Sequence, residues 1–209
     1  MSASTPSFAE EELLRAQGYR CIAGVDEAGR GTLAGPVVAA AVILPLGLDA
    51  PWLGLVRDSK QLTPRRRELL FHRIYEVALG VGIGQVDATT IDRQGIVKAT
   101  RLAMMMAVEQ LRPAPECLLV DAMSLPGVKL PQKGLTKGDQ SCISIACASI
   151  IAKVTRDRIM AELDQVYPGY HLARHKGYAT REHLDCLRRL GPSPVHRLSF
   201  RPLRDWADQ

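Results

Sequence analysis

The stretch from residue 21 to residue 44, CIAGVDEAGRGTLAGPVVAAAVIL, constrains the fold more than any other part of the chain. Two short apolar runs flank a glycine-rich loop, which is the pattern of a β-hairpin. The consecutive acids Asp26 and Glu27 end the first run, and neighbouring side chains of a strand point to opposite faces of the sheet. One carboxylate is therefore expected to face inward or to meet a cation, because unpaired buried carboxylates are strongly disfavoured.

Two interpretations of this acid pair are open. In the first, the strand ends at Asp26 and both acids lie in a solvated turn, where aspartate is common. In the second, the acids act together with the loop that follows them. Gly29, Gly31 and Gly35 let a ligand approach the backbone closely, and the position of Arg30 between two glycines suits a phosphate group. Carboxylates beside such a loop indicate metal-assisted phosphoryl chemistry.

Composition limits the class of protein. A length of 209 residues suits one sizeable domain, and a formal net charge of +5 permits a nucleic-acid partner without requiring one. Five cysteines without C-x-x-C spacing argue against a disulfide framework or a zinc site and indicate a reducing compartment. The acidic N-terminal segment is unlike a secretory signal, and no apolar run is long enough to span a membrane. We expect a cytoplasmic protein without a membrane segment.

Periodicity predicts an α/β chain in three parts: an N-terminal tail and short helix over 1–17, a core over 18–166, and a C-terminal helical extension over 167–209. The first seven or so residues are expected to be disordered. Strands are predicted at 80–86 and 117–120, and helices at 64–79, 96–111 and 141–158. The helix at 96–111 is predicted to bury an apolar band, namely Leu102, Met105, Met106, Val108 and Leu111.

Several polar residues have both a structural and a functional interpretation. Asp121 ends a predicted strand, where it forms a turn or supplies a site at the strand's carboxyl end. Asp139 either caps the helix that follows or directs its carboxylate toward the hairpin acids. Tyr178 either packs in the core or presents its ring to a sugar or base. The sequence does not choose between these roles. Arg156 is expected to be partly solvated, and residues 192–200 are expected to form an extended tail.

Seven blocks, in order along the chain, resemble bacterial ribonuclease HII. They are DEAGRG with AGPV (26–31 and 34–37), DSK (58–60), VDA (120–122), KGD (137–139), ASIIAKVTRD (148–157), HKGY (175–178) and HRLSF (196–200). A lone acid pair would be a weak signal, but these blocks extend over nearly the whole chain, from about residue 20 to residue 203. Thr32 departs from the pattern, because proline is frequent there.

The resemblance implies a ribonuclease H-like fold, with a mixed five-stranded sheet flanked by helices. It also implies cleavage of RNA in RNA–DNA hybrids and incision 5′ to single ribonucleotides embedded in duplex DNA, leaving 5′-phosphate and 3′-hydroxyl ends. By position, the four metal-binding acids are Asp26, Glu27, Asp121 and Asp139, and the substrate-binding residues are Gly29, Arg30, Gly31, Ser59, Lys60 and Tyr178. Four such carboxylates can hold two Mg²⁺ or Mn²⁺ ions ~3.5–4 Å apart. We expect a monomer.

Two other classes of protein are open at this point. A DNA-cutting nuclease or transposase-type strand transferase can use the same acids on an all-DNA substrate, although the Gly-Arg-Gly loop and Tyr178 argue against it. A non-catalytic module that binds hybrids is the second alternative. Such a module would be expected to have lost an acid, whereas all four positions are acidic here.

Overall fold

The computed structural model describes residues 5–207. Its α-helices, in chain order, are α1 (Ala9–Ala16), α2 (Pro64–Val77), α3 (Ala88–Gln94), α4 (Ile96–Glu109), α5 (Gly138–Ser141), α6 (Ile143–Val166), α7 (Leu172–His175), α8 (Arg181–Leu190) and α9 (Leu203–Ala207), and two short 3-10 helices lie at Pro51–Leu55 and Ser59–Gln61. Its strands are β1 (Ile22–Ala28), β2 (Val37–Ile43), β3 (Gly80–Val86), β4 (Cys117–Asp121) and β5 (Gln132–Leu135). No helix in this part of the chain is both long enough and apolar enough to cross a membrane.

The strands form one mixed sheet in the order β3-β2-β1-β4-β5. The predicted hairpin is confirmed, because β1 and β2 pair antiparallel with Ala23 opposite Ile43. β3 extends the antiparallel side, while β4 and β5 run parallel to β1. Since β1 and β4 run in the same direction, their carboxyl ends reach the same edge of the sheet, and both end in acidic segments.

Helices cover both faces of the sheet, as predicted. In β2, Ala40 and Val42 pack into a cluster with α2 and α6, whereas Ala39 and Ala41 pack on the other face into a cluster with α4. This alternation follows from the two-residue period of a strand. A strand buried on both faces must be apolar throughout, as the sequence VVAAAVI of β2 is.

The predicted apolar band of α4 is only partly correct. Val108 and Leu111 are buried, but Leu102, Met105 and Met106 are only half-buried. The fully buried face of the helix is instead formed by Met104 and four small residues, namely Ala99, Thr100, Ala103 and Ala107. Small side chains let the helix lie close against the glycine-rich strand β3, so the larger side chains are displaced to the margins of the interface.

The N-terminal segment is attached to the start of α6. The predicted disorder concerns mainly residues 1–4, which lie outside the described residues, and it is wrong for Ser7. The Ser7 N–H donates to the Ser141 carbonyl at 3.0 Å, and Ser7 forms a parallel bridge with Cys142. Glu11 of α1 is buried and accepts a hydrogen bond from the Ser144 N–H at 2.9 Å. Helix α1 therefore supplies an acceptor to the first turn of α6.

Two expectations, one for residues 192–200 and one for Arg156, are wrong. Residues 192–200 form turns and a bridge between His196 and Ala34 rather than an extended tail, and Arg197 within them is fully buried. Arg156 of α6 is also buried rather than partly solvated. Both arginines are held by backbone carbonyls of the hairpin loop, and those acceptors replace the water that an exposed guanidinium would bind.

Candidate active site

The candidate site lies where β1 and β4 end. Val25 pairs with Val120 across the two strands, and an acid follows each of them, Asp26 on β1 and Asp121 on β4. β1 continues through Glu27 to Ala28, so the interpretation that placed both hairpin acids in a solvated turn is wrong. The register of the parallel pair therefore places acids from two distant parts of the chain at one edge of the sheet.

Asp26 is a buried carboxylate. Burial raises its pKa well above the ordinary value, and the nearby charges of Glu27 and Asp121 raise it further. Its Oδ1 accepts a hydrogen bond from the Glu27 N–H at 2.7 Å, and a hydrogen bond from Ser149 of α6 also stabilises the ionised form. Burial and repulsion outweigh these two hydrogen bonds, so Asp26 is an acid that a cation would stabilise.

Glu27 contributes a carboxylate oxygen that lacks a partner. Its Oε1 pairs with Arg30 Nη1 at 3.3 Å, but its Oε2 is buried and accepts no hydrogen bond. Burial raises the Glu27 pKa, Arg30 opposes that shift, and the charge of Asp121 adds to it. A buried oxygen without a donor is costly, and a bound cation is one way to satisfy it.

Asp139 lies on the short helix α5. Together with Asp26, Glu27 and Asp121 it forms the acid group of the candidate site. Burial raises its pKa to about 6, with further increases from Asp58 and Asp121, while Lys60 lowers it. The Lys60 Nζ lies 3.9 Å from an Asp139 oxygen, and the Gly138 N–H donates to Asp121 Oδ1 at 2.7 Å. The turn that carries Asp139 is thus joined directly to the end of β4.

Asp139 does not cap α6, contrary to the structural alternative considered for it. The carboxylate that accepts from an N–H of the first turn of α6 is that of Glu11. Cys142 occupies the cap position and forms no side-chain capping hydrogen bond. Another acid therefore accepts the hydrogen bond at the start of α6. The Asp139 carboxylate instead interacts with the charges of Lys60, Asp58 and Asp121.

The chemistry of these residues fits divalent cations. Hard cations such as Mg²⁺ and Mn²⁺ prefer oxygen ligands, and here the carboxylates repel one another and one of them, that of Glu27, has an unpartnered oxygen. Within residues 5–207, no three acid, histidine or cysteine side chains converge closely enough to hold an ion as they stand.

The loop between β1 and β2 is fixed by two buried arginines. Arg156 donates to Thr32 Oγ1 at 2.9 Å and to the carbonyls of Ala34 and Pro36 at 3.0 and 2.9 Å. On the other side, Arg197 donates to the carbonyls of Arg30 and Gly35. The departure from the family pattern at Thr32 therefore does not loosen the loop, because the Thr32 hydroxyl takes part in this network.

The two glycines around Arg30 differ in what the fold requires. Gly29 has φ +91°, and a Cβ atom there would lie 2.0 Å from Arg156 Nε, so the fold itself demands glycine. A Cβ atom at Gly31 would meet nothing within 4 Å, and its φ lies outside the left-handed region. Packing within the protein therefore does not require glycine at position 31. Close approach of a ligand to the backbone is another reason for a glycine there.

The remaining predicted substrate-binding residues differ in exposure. The Lys60 side chain is 74% exposed beside Asp139, and the Tyr178 side chain is also exposed. Ser59 is buried, and its hydroxyl lies 2.9 Å from that of Ser149, the residue that bonds Asp26. Burial argues against direct contact between the Ser59 hydroxyl and a substrate. Ser59 instead lies behind Asp26, separated from it by Ser149.

Comparison with known proteins places the chain in a family. The family model for ribonuclease HII matches residues 23–202. The chain belongs to the ribonuclease HII family. It is 56% identical over 207 residues to a ribonuclease HII of Dehalococcoides mccartyi, covering 99% of this chain and 98% of the relative. It is 57% identical over 189 residues to that of Geobacter sulfurreducens, covering 90% and 86% of the two chains.

Solved structures agree with the fold. The ribonuclease H2 of Pyrococcus horikoshii superposes with a TM-score of 0.73 at 27% identity, covering 90% of this chain and 97% of that one. The resemblance inferred from the sequence blocks is thereby confirmed, as is the mixed five-stranded sheet flanked by helices. The protein is a ribonuclease H, a nuclease of the ribonuclease HII type, and this family depends on divalent metal ions and acts on RNA–DNA substrates.

Sequence reasoning missed three residues of this ribonuclease HII site. From the sequence, Arg156 is expected to be partly solvated and Arg197 to belong to an extended tail, although each lies inside a matched block. Asp58 was not considered as part of the acid group, yet it is buried beside Asp139, and its side chain accepts from the Lys60 N–H at 3.0 Å. The signal for Asp58 was its place in the DSK block, directly before two predicted substrate residues.

Proposed function

We propose that this ribonuclease HII incises duplex DNA on the 5′ side of a single embedded ribonucleotide, in addition to cleaving the RNA strand of hybrids. The observation that carries the proposal is the juxtaposition of the acid group with the loop around Gly31. The same hairpin carries Asp26, Glu27 and that loop, so a sugar bound at the loop lies next to the carboxylates. Such an incision would begin the removal of ribonucleotides from DNA.

Four residues would hold the metal: Asp26, Glu27, Asp121 and Asp139. Two divalent ions bound there would supply charge for activating a water molecule and for stabilising the leaving 3′ oxygen, giving 5′-phosphate and 3′-hydroxyl ends. The protein's own contribution is the raised pKa values of Asp26 and Asp139, caused first by burial. These carboxylates repel one another until positive charge arrives, which favours cations of high charge density.

Recognition of the RNA-to-DNA junction is assigned to the loop and to Tyr178. The Gly29-Arg30-Gly31 backbone would read the ribose 2′-hydroxyl, the group that distinguishes RNA from DNA. The absence of any packing requirement at Gly31 supports this role, since a side chain there would meet the ligand first. The exposed ring of Tyr178 would stack on the deoxyribose that follows. Lys60, exposed beside Asp139, would contact the substrate backbone.

The test is cleavage of a DNA duplex that carries one ribonucleotide, with Mg²⁺, with Mn²⁺ and with a chelator. A metal-dependent nick immediately 5′ to the ribonucleotide is expected. Cutting of long hybrids without that nick would retain the metal site and refute the roles given to the loop and Tyr178. Cutting of an all-DNA duplex would favour the nuclease or transferase alternative, and no cutting of any substrate would favour a binding module. The expected monomer and the cytoplasmic location stay predictions.

A further inference from the structure

Three histidines form a buried cluster behind Tyr178. His175, His183 and His196 come from α7, α8 and the C-terminal turns, and all three are buried. The rings of His175 and His183 stack with centroids 4.2 Å apart, and the Nε2 atoms of His183 and His196 lie 3.0 Å apart. Apolar side chains of similar size would fill this space without desolvating polar nitrogens, so packing alone does not account for the cluster.

The partners of the rings determine where each proton lies. His183 Nδ1 lies 2.9 Å from the Tyr178 carbonyl oxygen, which only accepts, so Nδ1 carries the proton and Nε2 of a neutral ring accepts. His196 Nδ1 receives the Ser193 N–H at 3.0 Å, so the His196 proton is on Nε2 and is donated to His183. Burial lowers the pKa of both rings to about 4, which keeps them neutral.

These hydrogen bonds run in one direction through the cluster. The Ser193 N–H donates to His196, His196 donates to His183, and His183 donates to the carbonyl of Tyr178. A neutral histidine pair can form this chain in one arrangement of protons only, since two facing N–H groups or two bare nitrogens would lose the central bond. The position of the Tyr178 backbone is therefore coupled to the position of His196 through the His183 ring.

The backbone of His196, unlike its ring, contacts the hairpin loop. Its backbone forms the bridge with Ala34, and the next residue donates its N–H to the Leu33 carbonyl at 2.8 Å. The loop also meets the tyrosine segment directly, because the Leu33 N–H donates to the Gly177 carbonyl at 2.8 Å. Gly177 approaches so closely that a Cβ atom there would lie 2.5 Å from the Ala34 carbonyl oxygen.

We propose that His183 and His196 are positioning residues that fix the distance between the 2′-hydroxyl-reading loop and Tyr178, and thereby set selectivity for the RNA-to-DNA junction. The inference rests on the proposed function, because it concerns the spacing between the hairpin loop and Tyr178, the two elements that recognise the junction in that proposal. His196 holds the loop through its backbone and holds Tyr178 through its ring and that of His183. A uniform hybrid presents no junction, so its cleavage depends less on this spacing.

The experiment compares kcat/KM on two duplexes of equal length, one with a single embedded ribonucleotide and one a uniform RNA–DNA hybrid. His196→Phe keeps a ring against Tyr170, whose ring centroid is 4.9 Å away, but cannot donate to His183. We expect the ratio of junction to hybrid cleavage to fall on the order of tenfold, since small misplacements at a reacting centre are costly. His196→Gln, which can retain an amide donor near the Nε2 position, should recover part of the ratio.

A double-variant comparison separates positioning from general structural damage. If the histidines act through the tyrosine, adding His196→Phe to Tyr178→Ala leaves the ratio where Tyr178→Ala alone puts it. Independent, additive losses would overturn the proposal, as would an unchanged ratio in folded His196→Phe. His72→Gln, at an exposed histidine, is the matched control and should leave the ratio unchanged.

Two further outcomes are distinguishable from these. If the wild-type protein does not nick the embedded ribonucleotide, the proposed function itself fails, and this is seen before any variant is compared. If His196→Phe does not fold, as judged by circular dichroism, His183→Asn decides the matter. Asparagine can still donate to the Tyr178 carbonyl but cannot reach His196, so a retained ratio in that variant would overturn the proposal.

Discussion

The guanidinium of Arg156 and the hydroxyl of Thr32 lie 2.9 Å apart, joining the middle of the long helix α6 to the loop beside the acid group. The same guanidinium donates to the carbonyls of Ala34, Pro36 and Lys176. The planar fork of an arginine can serve four acceptors in different directions, which a lysine ammonium cannot do. The loop is therefore held by a buried cation whose hydrogen bonds go to carbonyl and hydroxyl oxygens, with no carboxylate within ion-pair distance in the described structure.

Arg156→Lys is expected to lower the free energy of unfolding by about 3 kcal/mol, because carbonyls of the loop lose their donors while a cation stays buried. Urea denaturation measures the change. Arg158→Lys is the control, since the side chain of Arg158 is about half exposed and should cost less than about 1 kcal/mol. Equal costs for the two variants would contradict the role given to Arg156.

Gly31→Ala is expected to lower cleavage with little loss of stability, whereas Gly29→Ala is expected to lower stability. Alanine at Gly31 meets no atom within 4 Å, so stability should change by less than about 0.5 kcal/mol while cleavage of the embedded ribonucleotide falls. Alanine at Gly29 displaces Arg156 and should destabilise the fold. Thermal unfolding and initial rates measured on both variants check the pair. Full activity of Gly31→Ala would remove the loop backbone from substrate recognition.

Asp121→Asn is expected to abolish cleavage and to leave binding of hybrids largely intact. The amide keeps the shape of the side chain and can still accept from the Gly138 N–H, now at 2.7 Å, but it removes one negative charge from the acid group. Gel-shift affinity and single-turnover rates with Mg²⁺ measure the two effects separately. Undiminished turnover would refute the assignment of Asp121 as a metal ligand.

The sequence was sufficient for the elements whose patterns are local. The hairpin at 21–44, the glycine-containing strand at 80–86 and the helix that begins at Pro64 all lie where periodicity predicts them. The four acids could be proposed from the sequence because they sit at recognisable motif positions, and their role as metal ligands stays a prediction. Parallel pairing of β1 with β4 was not readable from either strand, yet that pairing brings Asp26 and Asp121 together.

The sequence failed where a residue's environment comes from distant parts of the chain. Arg156 lies in a helix with other cations and reads as solvated, but its acceptors are residues 32–36 and 176. Arg197 follows two prolines and reads as part of a tail, although Arg30 and Gly35 accept from it. A guanidinium can be buried only when carbonyls converge on it, and no local pattern records that convergence.

Glu11 and Asp139 allow a structural acid to be compared with an acid of the site. Glu11→Ala is expected to lower the free energy of unfolding by about 1–2 kcal/mol, because the Ser144 N–H loses its acceptor, while the rate constant for cleavage is retained. Asp139→Asn is expected to reduce cleavage and to change stability little or favourably, since it removes a repelled carboxylate. Urea denaturation and hybrid cleavage measured on both variants test this division, and loss of cleavage in folded Glu11→Ala would contradict it.

The buried histidines predict how stability depends on pH. The ordinary histidine pKa is 6.5, and burial lowers it to about 4 for His183 and His196 in the folded protein. Between these values the unfolded chain binds more protons than the folded chain, so acid favours unfolding. The stability gained by keeping the rings neutral is fully present above pH 6.5 and is lost as the pH falls toward 4.

We therefore expect the free energy of unfolding to fall by roughly 3 kcal/mol for each of the two rings between pH 6.5 and pH 4. The raised pKa values of Asp26 and Asp139 act in the opposite direction, so the histidine contribution is the difference in slope between the wild type and His196→Phe. Urea denaturation at a series of pH values measures both slopes. His72→Gln, at an exposed position, should keep the wild-type slope, and an equally steep slope in folded His196→Phe would show that protonation of the cluster does not limit stability in acid.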